Sequence, residues 1–205
     1  MTKIETLFGY VLIACVTAEI LGYFLHRLMH SGMIPFLSRN HMKHHLVLYG
    51  PLQNQRSSDY HDATDDAISL GNIGMEWLAP AVLLLLATAG VLLFVHVPLF
   101  YQAVFIVTML MWSFLMFSYM HDVMHVKDHW LESAPVLHHW FLKARRRHDI
   151  HHRALNNKGL MDKNFGIGFF FFDRVFGTIT SQEPVFNRTG YEAAQRRFQS
   201  ILNPD

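Results

Sequence analysis

Ten of the fifteen histidines fall into four short groups, and the groups repeat one order twice: a His-x3-His pair, then a His-x2-His-His triple. His26 and His30 precede His41, His44 and His45; after a long apolar interval His121 and His125 precede His148, His151 and His152. Residues three and four apart share a helix face, so each group presents two or three imidazoles to one side, and four such faces can close around one site. One His-x3-His arises easily by accident in a helix; the doubled pair-and-triple order does not. Neutral imidazole is a ligand for intermediate first-row metals, and ten of them suit two ions of iron or zinc, of which iron adds dioxygen chemistry. The remaining histidines read differently. His61, His96 and His129 stand alone as surface or packing groups, and His138 and His139 precede the last group as candidates to support a ligand from behind.

The elements that must position these side chains are helices in a membrane. The chain has 205 residues, 51% of them hydrophobic, and a formal net charge of +1, the size of one domain (1–205) with no basic stripe for nucleic acid. Its single cysteine, Cys15, lies in an apolar run, which excludes a disulfide framework and a cysteine-based zinc site. Nitrogen and oxygen must hold the metal. Three runs, 7–25, 73–95 and 99–120, are long enough to cross a bilayer, interrupted only by Glu19 and Glu76. The first lacks a basic leader and is followed at once by His26, so it reads as a retained span and not a secretory signal. His96-Val97-Pro98 makes a tight, uncharged turn between the second and third runs. Arg27, Arg39, Lys43 and Arg56 follow the first run, and Lys127, Lys143, Arg145, Arg146, Arg147 and Arg153 follow the third. Positive residues stay on the cytoplasmic side, which places all four histidine groups there and the N-terminus outside. The expected fold is an all-α integral membrane protein with about three transmembrane helices and a histidine-rich cytosolic cap formed by 26–72 and 121–205, in a bacterial inner membrane or an endoplasmic reticulum.

Within the cap, Ser133-Ala134-Pro135 reads as a helix start. Val136, Leu137, Trp140, Phe141 and Ala144 then form an apolar stripe ending in Arg145 to Arg147, the composition of a helix lying in the membrane interface. The stretch 50–66 reads as a connecting loop whose Asp59, Asp62, Asp65 and Asp66 are solvated or capping groups, and 190–202 as a short amphipathic tail helix. Glu19, Tyr23, His26 and His30 align in one helical stripe. An intramembrane carboxylate is costly and usually faces a partner; Glu19 is expected to hold an imidazole of the first pair from behind. Asp122 and Asp149, each next to the first histidine of its group, are similar candidates, though adjacent residues diverge by about 100° on a helix.

These groups in this order, interrupted by an apolar hairpin, resemble the fatty acid hydroxylase and sterol desaturase superfamily of integral-membrane di-iron enzymes. The closing segment, from Asn164-Phe165-Gly166 through Asp173-Arg174-Val175-Phe176-Gly177-Thr178, is also similar to that superfamily's C-terminal signature. The resemblance runs from about Glu19 to Thr178. It implies two irons held by His26, His30, His41, His44, His45, His121, His125, His148, His151 and His152, with Asn164 joining Glu19, Asp122 and Asp149 as supporting candidates. It further implies dioxygen as co-substrate and insertion of one oxygen atom into a C–H bond of a fatty acyl, sterol or related lipid drawn from the bilayer. Glu19 to His30, together with His121-Asp122-x2-His125, also resembles bacterial-type carotenoid hydroxylases. The sequence shows three clear spans where longer members have four, and no cytochrome b5 stretch. The implied electron donor is therefore a separate protein of ferredoxin or cytochrome b5 type with its reductase.

The chemistry has independent support. The sequence contains no Glu-x-x-His, the ligand pair of soluble di-iron bundles, and no His-Glu-x-x-His of zinc proteases. Dioxygen activation needs a redox metal, two external electrons and a dry pocket, and a site at the bilayer surface meets the last condition. Hydrogen abstraction and hydroxyl return give an alcohol and water; a second hydrogen abstraction gives desaturation instead. The alternative of a different class is a non-enzymatic membrane protein that binds or transports metal. Transporters place their ligands within the spans, whereas here the histidines flank them.

Overall fold

The computed structural model describes residues 2–62 and 70–202, with 70–81 as backbone only. Asp65, Asp66, the Glu76 side chain and Asp205 lie outside the described residues. Helices supply the regular structure; the described residues contain no strand beyond two isolated bridges, Arg56 with Val126 and Leu155 with Met161.

Helix α1 (Lys3–Ser31) begins in a capping box: the Thr2 hydroxyl accepts from the Glu5 amide at 3.2 Å, and the Glu5 carboxylate accepts from the Thr2 amide at 2.9 Å. Its 29 residues extend about 43 Å at 1.5 Å per residue, so the helix outlasts its apolar run and carries His26 and His30 on its final turns. It ends at Gly32, where φ is +67°. Helix α2 (Pro35–Lys43) follows and runs into a π-helical turn, His44–Leu48.

Helices α3 (Leu70–Phe94) and α4 (Leu99–Ser113) form the expected hairpin, with His96 at φ 56° in the turn and the Gln102 side chain donating to the Val97 carbonyl at 2.7 Å. A second π-helical turn, Phe114–Met120, continues α4 into the short α5 (His121–Val123). Two of the helical stretches, Lys3–Ser31 and Leu99–Val123, are long and apolar enough to cross a membrane; the third expected span falls on α3, whose fully described apolar part is Val82–Phe94. Only 22% of the most apolar window of each long helix is buried. A soluble core helix would be covered on nearly every side, whereas these expose Phe8, Leu12, Val16, Val107, Leu110 and Met111. Where α1 and α4 meet, Ala14 and Ala18 pack against Phe105 and Met109, small residues one turn apart admitting large ones. Closer to the histidines, a Cβ on Gly22 would lie 2.1 Å from the Phe117 ring, so only glycine lets the second π turn rest on α1.

The cap is built from α6 (His138–Arg153), α7 (Phe171–Val175), α8 (Arg188–Leu202) and the segments between them. Helix α6 starts at His138, after a turn through Pro135, three residues later than expected at that proline. Nor is its apolar stripe an interface face. Phe141 and Ala144 are buried against Met116, Met120, Met124 and Ile167, and only Val136 and Leu137 at the entry are exposed. Arg145 turns inward, donating to the Glu132 carboxylate at 2.6 Å and the Val126 carbonyl at 2.8 Å. It braces the chain that follows His121 and His125. The tail helix α8 is amphipathic as its pattern suggested, with Ala194, Phe198 and Ile201 packed on Met42 and Leu46. Gly159 lies under it with φ +73°; a Cβ there would meet the Ala194 amide at 2.3 Å.

Candidate metal centre

The ten clustered histidines converge in one bay, and they sort into two groups of five. His26, His30, His41, His45 and His151 form one; His44, His121, His125, His148 and His152 form the other, and within each the ligand-capable nitrogens lie within 4.8 Å of one another. Opposite ligands around one ion stand about 4.2 Å apart at metal–nitrogen distances of about 2.1 Å, so each group has the span of a single coordination sphere. The sorting crosses the sequence groups. From each triple the two residues four apart join the preceding pair, and the middle histidine, His44 or His151, crosses to the other five.

Backbone carbonyls orient the rings. His26 Nδ1 donates to the Phe165 carbonyl at 2.6 Å, His125 Nδ1 to that of Asn54 at 2.6 Å, His151 Nδ1 to that of Lys163 at 2.6 Å and His152 Nδ1 to that of Tyr49 at 2.8 Å. A carbonyl only accepts, so the proton of each neutral ring sits on Nδ1 and a bare lone pair on Nε2 faces inward. Those lone pairs crowd other Nε2 atoms: His125 lies 3.0 Å from both His44 and His148, His151 lies 2.9 Å from His30, and His152 lies 3.2 Å from His148. A ring with one proton cannot satisfy two bare neighbours. His45 is fully buried and neither of its ring nitrogens has a hydrogen-bond partner. Shared cations would resolve this crowding, and the donor set fits them. Burial, reinforced by neighbouring imidazoles, holds His41, His44, His45, His148 and His152 well below the ordinary histidine pKa; burial lowers His151 to about 4. They are neutral at physiological pH, the form in which an imidazole can take a metal ion.

The supporting candidates are distributed differently. Glu19 accepts from Trp112 Nε1 at 2.8 Å, and the ring of His26 is held by the Phe165 carbonyl, so the expected Glu19 support of the first pair is replaced by a bond between spans. Asp122 lies 3.4 Å from His121 Nδ1. Asp149 points away from the ligands and accepts from Gln55 Nε2 at 2.6 Å and Asn54 Nδ2 at 3.1 Å, fixing the segment whose Asn54 carbonyl orients His125. Burial pushes its carboxyl up to about 6, against the pull of Gln55 and Arg153. Asn164 is fully buried at φ 53°, donating to the Arg147 and Thr180 carbonyls and accepting from the Thr180 amide, which ties the closing segment to α6. His138 donates to the Glu132 carbonyl and His129 accepts from the Leu131 amide; neither joins the two fives. His61 lies 3.6 Å from Asp62, and His96 stays in the hairpin turn.

Two features escape side-chain spacing. The stretch after Gly50 is no passive connector: Arg56 pairs by backbone with His125 and Lys127, at 2.8 and 2.9 Å, and carries Asn54 to the site, while Asp59 and Asp62 remain exposed as expected. The fully buried Asp173 accepts from the Phe165 amide, the Gly166 amide and the Thr178 hydroxyl, each at 2.7 Å. Burial raises its carboxyl from the ordinary range while those three donors pull it back.

Residues 11–178 match the sequence model of the family described as Fatty acid hydroxylase. Neither a curated protein nor a solved structure gives a significant match. The matched stretch begins inside α1, takes in all ten converging histidines and stops at Thr178, the residue whose hydroxyl closes the Asp173 network. The chain belongs to the fatty acid hydroxylase family.

Proposed function

We propose that this protein is a membrane-bound di-iron oxygenase that inserts one atom of dioxygen into a C–H bond of a lipid, with two electrons delivered by a separate ferredoxin- or cytochrome b5-type protein. The observation that carries the reading is the pair of buried five-imidazole groups, each of single-ion span, side by side in one bay. No carboxylate lies among the ten donors, and the buried inward lone pairs call for a cation. Family membership supports iron, and the oxygen chemistry with it.

In this reading His26, His30, His41, His45 and His151 hold one iron, and His44, His121, His125, His148 and His152 hold the other. Two irons, when bound, activate dioxygen with the external electrons so that R–H, O2, two electrons and two protons give R–OH and water. The chain's residues do the rest. The Phe165, Asn54, Lys163 and Tyr49 carbonyls fix ring orientation and leave Nε2 free to bind. Packing that covers eight of the ten imidazoles to 3% exposure or less excludes water from the oxidising centre. Packed aromatic rings connect the surface with the site: Phe24 and Phe176 are exposed with ring centroids 5.2 Å apart, Phe176 stacks on the buried Tyr23 at 5.2 Å, and the buried Phe165 lies 5.7 Å from His26. In this reading the bay faces the cytoplasm, which the excess of Lys and Arg after the first and third apolar runs supports.

Metal analysis of purified active protein is expected to find two irons per chain. Lipid profiles of cells with and without the protein should differ by a species heavier by one oxygen. Fully active protein with one ion or none, or lipid profiles that coincide, overturns the reading.

A further inference from the structure

Behind His26 the hydrogen bonds form an unbroken line. The Phe165 carbonyl that accepts from His26 Nδ1 at 2.6 Å and the Gly166 amide that donates to Asp173 Oδ2 at 2.7 Å belong to one peptide unit. A negative charge at one end polarises that peptide, makes its carbonyl a stronger acceptor, and draws the Nδ1 proton of His26 outward. A backbone amide, which can only donate, meets each oxygen of the Asp173 carboxylate, Phe165 on Oδ1 and Gly166 on Oδ2, and the Thr178 hydroxyl joins Phe165 on Oδ1; amide donors on both oxygens are the surrounding of an ionised group. Gly166 is required for the approach, since a Cβ there would stand 2.8 Å from Asp173 Oδ2 and 2.4 Å from the Phe169 carbonyl. The peptide behind His151 differs: its Lys163 carbonyl accepts from the ring at 2.6 Å, but its Asn164 amide ends on the neutral Thr178 carbonyl at 3.0 Å.

We propose that Asp173 is a positioning residue for the metal centre, acting through the Phe165–Gly166 peptide to strengthen His26 Nε2 as a donor to one of the two ions. The inference rests on the proposed function for the ion, and on hydrogen-bond geometry for the relay. Asp173 backs a ligand of the His26 group alone, whereas the other group has Asp122 beside His121 Nδ1 at 3.4 Å, so loss of the Asp173 charge weakens one ion and spares the other.

Cobalt(II) titration of the purified apoprotein, followed by visible absorption, tests this without turnover. The parent is expected to bind two ions, and a parent that binds fewer overturns the proposed function and the relay with it. Asp173→Asn keeps the shape and removes the charge; it should weaken one ion by about 10 to 100-fold, the usual cost of losing an indirect ligand partner, and leave the other unchanged. Parental affinity for both ions, or equal weakening of both, overturns the relay in favour of a purely structural clamp. Thr178→Val decides the matter even if the Asn variant fails to fold. It removes the donor that shares Asp173 Oδ1 with the Phe165 amide and leaves Gly166 on Oδ2; made together with Tyr23→Phe, so that the buried Tyr23 hydroxyl is not left unpaired, it requires parental or tighter binding of that ion if the relay holds, whereas a clamp would loosen. Weaker binding in that double variant overturns the proposal.

Discussion

His45 shows how far a single side chain can be read. It is fully covered, its two ring nitrogens find no protein partner, and an unsatisfied buried polar group costs about 1–3 kcal/mol. An ion repays that cost, so His45→Ala is expected to remove one iron of two and abolish turnover, while His61→Ala and His96→Ala keep both; retention of two irons and activity in His45→Ala, measured by metal analysis and product yield, would contradict the assignment. Glu19 carries the opposite expectation. Its acceptor contact is with Trp112 on the neighbouring span, and Gln at that position still offers a carbonyl. Glu19→Gln should therefore leave iron content at the parental level and change stability in detergent by no more than about 1 kcal/mol, the order of a single hydrogen bond. All ten converging histidines were legible as a set because their spacing is a helical one. The Glu19 stripe was equally helical, but spacing says which side a residue faces and not which neighbour waits there. The Phe165, Asn54, Lys163 and Tyr49 carbonyls could not be found that way at all, since every residue has a carbonyl and side-chain type carries no mark of its use.

At the scale of elements, the two π-helical turns sit where histidines leave regular helix: His44 and His45 are on the first, and His121 follows the second. In the first turn the Tyr49 amide reaches back five residues to the His44 carbonyl at 2.8 Å, which widens the helix beside the site. Apolar run length revealed α1 and α4 in the sequence, but a π turn has no residue pattern of its own and depends on what packs beside it. Gly22 is that neighbour for the second turn. Gly22→Ala pushes a methyl into the Phe117 ring and should destabilise the protein by about 1–3 kcal/mol, the common cost of overpacking. Thermal unfolding in detergent should show the loss, and Phe117→Ala in the same chain should recover part of it; equal melting of Gly22→Ala and parent would mean that the helices part freely there. The misplaced interface helix has a similar lesson. Phe141, Ala144 and Arg145 carry the composition of a membrane-surface face, yet the core under α6 takes the apolar pair and the Glu132 carboxylate takes the guanidinium.

For the whole molecule, topology is the property that the charge pattern speaks to most directly. With Cys15 replaced, a cysteine probe at Val97 in the hairpin turn is expected to react with an impermeant reagent from outside the cell, and one at Gln199 on the exposed side of α8 to be spared. The reverse labelling pattern would invert the protein in the membrane and put the bay on the other side.

The crossing of His44 and His151 between the two fives also sets a timetable for biosynthesis. A growing chain has made His26, His30, His41 and His45 by residue 45, before either helix of the apolar hairpin exists, but their fifth partner comes only at residue 151. The second five begins with one early member, His44, and waits for four late ones. On the proposed reading, a ribosome-bound chain thus offers the cytosol an open four-imidazole half-site for as long as the hairpin takes to be made and inserted. Copper and zinc outbid ferrous iron for such a set. On the same reading the arrival of α6 would close both sites together, because one helix supplies the late imidazole to the first five and two imidazoles to the second. A cell short of iron during translation would therefore be expected to accumulate folded protein carrying the wrong metal at the His26 position, and iron added after release would have to displace it.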